Sequence, residues 1–168
     1  QSTLLTAGGL LVNTGTIVNR AVIKNRGTVD NSGGFIDNRN KIFNECTSST
    51  SDARPATFLG LVFGNPLITT CRIFDNDSGD RLWSNPLNWT GDGVPQEDDL
   101  VVIADVAGTA SSPILDVDFN IRNELIVHAF SILTVDTGRT LTNKGTLTAL
   151  GGIVYVEPGA TFRNESEM

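Results

Sequence analysis

The sequence predicts an all-β fold wound as a parallel β-solenoid. Three observations carry that expectation: a six-residue repeat near the start of the chain, a composition rich in Gly, Thr and Asn and poor in helix formers, and short alternating apolar segments in the last third. The 168 residues suffice for one domain of ordinary size or two small ones. Three regions are expected, 1–45, 46–112 and 113–168, folding as one continuous unit.

The chain begins Gln1-Ser-Thr-Leu-Leu, without an initiator Met or a basic leader, and reads as a processed, mature end. Its first dozen residues are strand-prone, with Leu4, Leu5, Leu10, Leu11 and Val12 as the apolar positions. Such a segment suits addition to an exposed strand edge of a neighbouring copy.

Six successive units then share one register, from Gly9-Leu-Leu-Val-Asn-Thr14 to Asn40-Lys-Ile-Phe-Asn-Glu45, with Gly33 as the single extra residue. The third position is always branched aliphatic: Leu11, Ile17, Ile23, Val29, Ile36 and Ile42. The fifth is always Asn: Asn13, Asn19, Asn25, Asn31, Asn38 and Asn44. Six residues are too few for a hairpin but suit one short strand and a corner, so three units make a coil of about 18 residues. Asn fits the corner because it tolerates left-handed backbone and bonds neighbouring amides, while Gly or Ala relieves crowding beside it. Coils stacked about 4.8 Å apart would set Asn13 over Asn31, so these residues read as architecture rather than ligands. The second position runs Leu10, Thr16, Val22, Thr28, Phe35, Lys41, which is no regular Thr array of the kind that binds ice.

Residues 46–112 read as a loop-rich insertion. Cys46 and Cys71 have neither CxxC spacing nor a histidine partner and are expected to form a disulfide, closing about 25 residues at a gain of about 3 kcal/mol. Cys46 to Ala56 reads as an exposed loop, followed by the apolar stretch Phe58 to Phe63. In the acidic turn Asp75-Asn-Asp-Ser-Gly-Asp80, the candidate calcium ligands are Asp75, Asp77 and Asp80, although the run lacks the Gly and Glu of a complete EF-hand loop. Sequons at Asn76, Asn88 and Asn164 are candidate glycosylation sites. Trp83 and Trp89 fit either a sugar-stacking platform or a hydrophobic plug.

The last region is expected to resume the solenoid. Leu115, Val117, Phe119 and Ile121 alternate with Asp116, Asp118 and Asn120, a half-buried strand with an acidic outer face. Short strands follow around Leu125, Leu133, Leu141, Leu147, Val154 and Phe162, and Thr161-Phe-Arg-Asn164 echoes the first repeat. Asp116 and Asp118 are the candidate carboxylate pair, and His128, the single histidine, has no nucleophile motif beside it. The chain therefore reads as non-catalytic, with no cofactor besides candidate calcium. A net charge of −7 opposes nucleic acid as a partner. The longest apolar stretch, Phe58 to Ile68, is interrupted by Gly and Pro and falls short of a transmembrane helix.

The run Trp83-Ser-Asn-Pro-Leu-Asn-Trp89, then Gly93-Val-Pro95 and Asp99-Leu-Val-Val-Ile103, resembles a signature of secreted β-helical surface proteins of prokaryotes. The Gly-Thr-Ile-x-Asn repeat, ending at a Cys and followed by Gly64-Asn65-Pro66 and a second Cys, is similar to repeats of archaeal and bacterial cell-surface proteins. The resemblance implies an extracellular or cell-surface β-solenoid with a structural or adhesive role. The expected function is a structural subunit of a head-to-tail homopolymer, a filament or surface layer assembled through exposed solenoid edges and N-terminal strand donation. The alternative is an adhesin or carbohydrate-binding module that engages surface glycans through Trp83 and Trp89.

Overall fold

The computed structural model describes residues 3–46, 55–104 and 112–166. It divides into two compact units, Gln1–Ser49 with Ala53–Cys71, and Thr50–Asp52 with Arg72–Met168. Both are built from parallel strands stacked as a β-solenoid, as the repeat predicts.

The first unit holds β1 (Thr3–Val12), β2 (Thr16–Asn19), β3 (Val22–Asp30), β4 (Phe35–Asn38), β5 (Lys41–Asn44), β6 (Thr57–Leu59), β7 (Val62–Gly64) and β8 (Leu67–Thr69). The first half of β3 pairs with β5 and the second half with β6, so one strand turns a corner and serves two faces. The third face is the sheet β2-β4-β7. Along β3 the residues alternate, with Ile23, Asn25 and Val29 inward and Lys24, Arg26 and Thr28 outward. Ile23, Ile36 and Ile42 form the buried core, flanked by Ile17, Phe58, Val62 and Leu67. Equivalent Asn residues stand 18 or 19 positions apart, the larger step arising where Gly33 is added. Gly34, next along, is dictated by space, because a Cβ there would sit 2.5 Å from the Asn13 carbonyl oxygen.

The region 46–112 does not stand apart as an insertion. β6, β7 and β8 complete the third coil of the first unit and begin a fourth: Phe58 pairs with Val29, Val62 with Ile36 and Leu67 with Ile42. The inward aliphatic position persists there after the Asn consensus fades, which is why the boundary falls at Cys71 and not at Glu45. Cys46 and Cys71 are joined, with Cα atoms 4.8 Å apart. Most of the expected exposed loop between Cys46 and Ala56 lies outside the described residues.

The second unit holds β10 (Leu100–Ile103), β11 (Ile114–Leu115), β12 (Phe119–Ile121), β13 (Glu124–His128), β14 (Ile132–Val135), β15 (Thr140–Asn143), β16 (Thr146–Leu150), β17 (Ile153–Val156) and β18 (Thr161–Asn164). Its three faces are β10-β13-β16, β11-β14-β17 and β12-β15-β18. β9 (Cys71–Ile73), whose Arg72 and Ile73 belong to this unit, lies beside β10. The core gathers Phe74, Trp83, Trp89, Phe119, Leu133 and Leu141 with the inward residues of β10 and β13. Among the described residues, no helix is long and apolar enough to cross a membrane.

Candidate functional site

The repeat asparagines point inward and form a directional ladder. The Nδ2 of Asn13 donates to the Oδ1 of Asn31 at 2.6 Å, that of Asn19 to Asn38 at 2.7 Å, and that of Asn25 to Asn44 at 2.7 Å. Each amide also donates to a backbone carbonyl one coil on: Phe35, Lys41 and Thr57 in turn. The Oδ1 atoms of Asn13, Asn19 and Asn25 accept from the backbone N–H two residues ahead, at Gly15, Ala21 and Gly27, which holds the corner. In each of these three pairs the donor amide belongs to the N-terminal coil and the Oδ1 acceptor to the next one. The column Asn143 to Asn164 in the second unit runs the same way, at 2.9 Å.

Trp83 and Trp89 are both fully buried and form no glycan platform. Their rings meet edge-on with centroids 4.6 Å apart, Trp89 packs against Phe74, and Trp83 against Phe119. The Trp89 indole N–H donates to the Trp83 carbonyl at 2.8 Å. The loop carrying them closes the first coil of the second unit: Leu82 bridges to Ile114, and Ser84 donates twice to the Asp116 carboxylate. The Gly91-Asp-Gly93 turn lies against the Arg72 guanidinium, which pairs with Asp99 at 3.4 Å. The tryptophan motif is thus an end plug made by one loop.

The acidic turn is spent on the same plug. Asp80 accepts from the Leu82 N–H, Asn85 and Asn88, and these bonds hold its carboxyl well below the usual carboxylate range. Asp75 is pushed up by burial and by the neighbouring Asp77 charge. Among the described residues no group of three metal-ligating side chains comes together, so Asp75, Asp77 and Asp80 do not converge. Asn88, expected as a glycosylation site, is buried with its amide donating to Asp80 and to the Leu82 carbonyl, and it accepts from Ser78. A glycan cannot be attached there in the folded chain. Asn76 is partly exposed, its Oδ1 accepting from the Arg81 N–H, and Asn164 is exposed.

Asp116 and Asp118 hold separate turns, the first through Ser84 and the second by accepting from the Thr140 N–H. His128 is buried at the end of β13, and that burial holds its imidazole pKa down. Near the disulfide, buried Glu45 is neutralised by Lys24 at 3.2 Å and Arg26 at 2.5 Å, an ion-paired cluster that pins β3 to the chain leaving β5.

The opposite end of the second unit carries no plug among the described residues. Among the described residues β16, β17 and β18 each stand last in their sheet, so the coil they form pairs on one side only. The core columns run out into that edge. Leu141 is 0% exposed, while Phe162, paired with it in register, is 40% exposed. Leu147 and Val154, in register with buried Leu125 and Leu133, are only partly covered.

The first coil of the first unit likewise pairs on one side only among the described residues. β1 and β2 begin their sheets, and the segment expected for strand donation is the strand β1 itself, with Leu4, Leu5, Leu11 and Val12 in register with Ile23, Lys24, Val29 and Asp30 of β3. Leu10 and Val12 face outward, 68% and 56% exposed. The sequence reading did not single out Phe162, Val154 or Leu147 as edge residues, although the Thr161-Phe-Arg-Asn164 echo was its visible sign. No family model matches the chain, and no match arises among curated proteins or solved structures.

Proposed function

We propose that this protein is a structural subunit of an extracellular homopolymer, a filament or surface layer, assembled head-to-tail through solenoid edges. The observation that carries this reading is the asymmetry of the second unit. One end is closed by a tryptophan plug, and at the other, among the described residues, β16, β17 and β18 pair on one side only and leave Leu147, Val154 and Phe162 half covered. Solenoids that remain monomeric cover such ends, because unpaired parallel strands recruit more strands. A heterologous contact of this kind propagates instead of closing.

The disulfide suits an oxidising compartment. A glycan-binding module loses its platform, since both tryptophans are buried. The test is negative-stain electron microscopy of the purified protein over a concentration series. Regular filaments or sheets that lengthen with concentration are expected, and uniform small particles at every concentration overturn the proposal.

A further inference from the structure

Charge is divided unequally between the two units. Gln1–Ser49 with Ala53–Cys71 hold six Lys and Arg against three Asp and Glu, a net +3, and the rest of the chain holds six against 16, a net −10. In each unit one lateral face sets a column of like charges beside an exposed apolar strip.

In the first unit that face is β2-β4-β7. Val18, Phe35 and Phe63 are exposed on it, and the Phe35 and Phe63 rings stack with centroids 4.7 Å apart. At the corner where these strands end, Arg20 and Arg39 follow the paired Asn19 and Asn38 and so stand one coil apart, with Lys41 two residues beyond Arg39. Arg39 pairs with Asp37, while Arg20 and Lys41 have no carboxylate partner among the described residues.

In the second unit the face is β11-β14-β17, with Ile132, Ile153 and Tyr155 exposed. Asp116, Asp136 and Glu157 follow Leu115, Val135 and Val156, which are in register, so three acids occupy one corner on successive coils. Phe130, at the corner entering β14, is 84% exposed at φ 67°, a backbone conformation that strains a bulky side chain. Like charges stacked at the spacing of neighbouring strands repel, and exposed apolar strips of this kind mark contact surfaces. Both faces are lateral, so a further coil stacked on either unit would extend them without covering them.

Resting on the assembly reading above for the presence of neighbouring copies, we infer that these faces dock on one another between copies. The β2-β4-β7 face of one copy meets the β11-β14-β17 face of another, apolar strip on apolar strip. Arg20, Arg39 and Lys41 then answer Asp116, Asp136 and Glu157. The occupant of each face is a second copy because the opposite charge and a matching strip are carried by the same chain. The contact is heterologous and joins filaments side by side into bundles or sheets.

The test is electron microscopy of the full chain and of two charge-reversed variants, R20E/R39E and D136R/E157R. Each variant alone sets like charges across the contact, and its concentration for half-bundling is expected to rise about tenfold or more. An equimolar mixture of the two should bundle again, because reversed faces then meet each other. In the unaltered chain, bundles should loosen to single filaments as salt rises from about 0.05 to 0.5 M, a series that needs no variant. Bundling unchanged by salt and by both variants overturns the docking faces while leaving filaments standing. Bundling restored by all four substitutions in one chain but not by the mixture places the contact within a copy and overturns the inference. Retention of the unaltered chain, but not of R20E/R39E, on polygalacturonate without bundling gives the basic column another occupant and also overturns it. Salt-sensitive association without filaments, lost in each variant and restored in the mixture, keeps the faces and overturns head-to-tail assembly. Particles that never associate overturn both readings.

Discussion

The amide of Asn25 crosses one coil to the Oδ1 of Asn44 at 2.7 Å, and both residues are buried. This bond sits beside the isoleucine column, where water cannot replace it. Asn25 also serves the Thr57 carbonyl and the Gly27 N–H. N25L therefore strands the buried Asn44 Oδ1 and Gly27 N–H and releases the Thr57 carbonyl, and is expected to destabilise by about 2–5 kcal/mol. N65A, which loses one exposed bond to the Asn40 carbonyl, should cost under about 1 kcal/mol. Urea titration of the two variants checks the contrast, and equal losses would contradict the ladder's role.

The tryptophan plug predicts silence toward solvent. Emission should be blue-shifted and resistant to iodide quenching, because both rings are wholly covered. W89F removes the N–H that holds the Trp83 carbonyl and is expected to cost about 2 kcal/mol, and W89A about 3–5 kcal/mol. Quenching of native emission by iodide would show the plug to be open.

Reduction of Cys46–Cys71 frees a separation of 25 residues in the unfolded chain. The expected loss is about 3 kcal/mol, read as a lower thermal midpoint in reductant. No change in midpoint would mean that the first unit is already closed without the covalent link.

Acid should weaken the second unit in two stages. The first belongs to His128, whose burial depresses its pKa: stability falls as pH drops below about 6.5, where the unfolded imidazole takes a proton that the native one resists. H128Q should abolish this stage. The second belongs to Asp80, whose stabilising contribution is complete above about 3.9 and is lost as pH falls through its lowered folded pKa. Melting curves from about pH 8 down to about pH 3 show the first stage whole and the onset of the second.

Asp75 behaves in the opposite sense. Burial and Asp77 raise its pKa, and its Oδ1 is buried with no hydrogen-bond partner, so its charge is unfavourable at neutral pH. D75N should raise the melting temperature near pH 7, with the gain vanishing in acid where the native carboxyl is protonated. A lower melting temperature at pH 7 would reveal a cation or donor that needs the carboxylate.

The solenoid was legible because its repeat is chemical. An inward aliphatic and an Asn at fixed spacing announce coil, column and corner, and the Asn13–Asn31 contact follows from counting three units. The coils after Cys46 were harder to read, since Phe58, Val62 and Leu67 keep the inward position while the corner Asn is replaced by backbone acceptors at Ala56, Leu61 and Asn65. Asp75, Asp77 and Asp80 share a composition with metal loops, and only the folded path reveals that Asp80 turns toward Asn85 and Asn88. The ambiguity of Trp83 and Trp89 was one of burial, which residue identity leaves open and Phe119 resolves by packing on Trp83.

Each ladder amide in the first unit finds its partner only 18 or 19 residues further along the chain. Closing so short a span costs little chain entropy, and nearly the same amount each time. A ribosome delivers the N-terminal coil first, and that coil's donors wait for acceptors on the segment emerging next. Folding can then proceed as a zipper in the direction of synthesis, each turn templating its successor, with no need to search for distant strands.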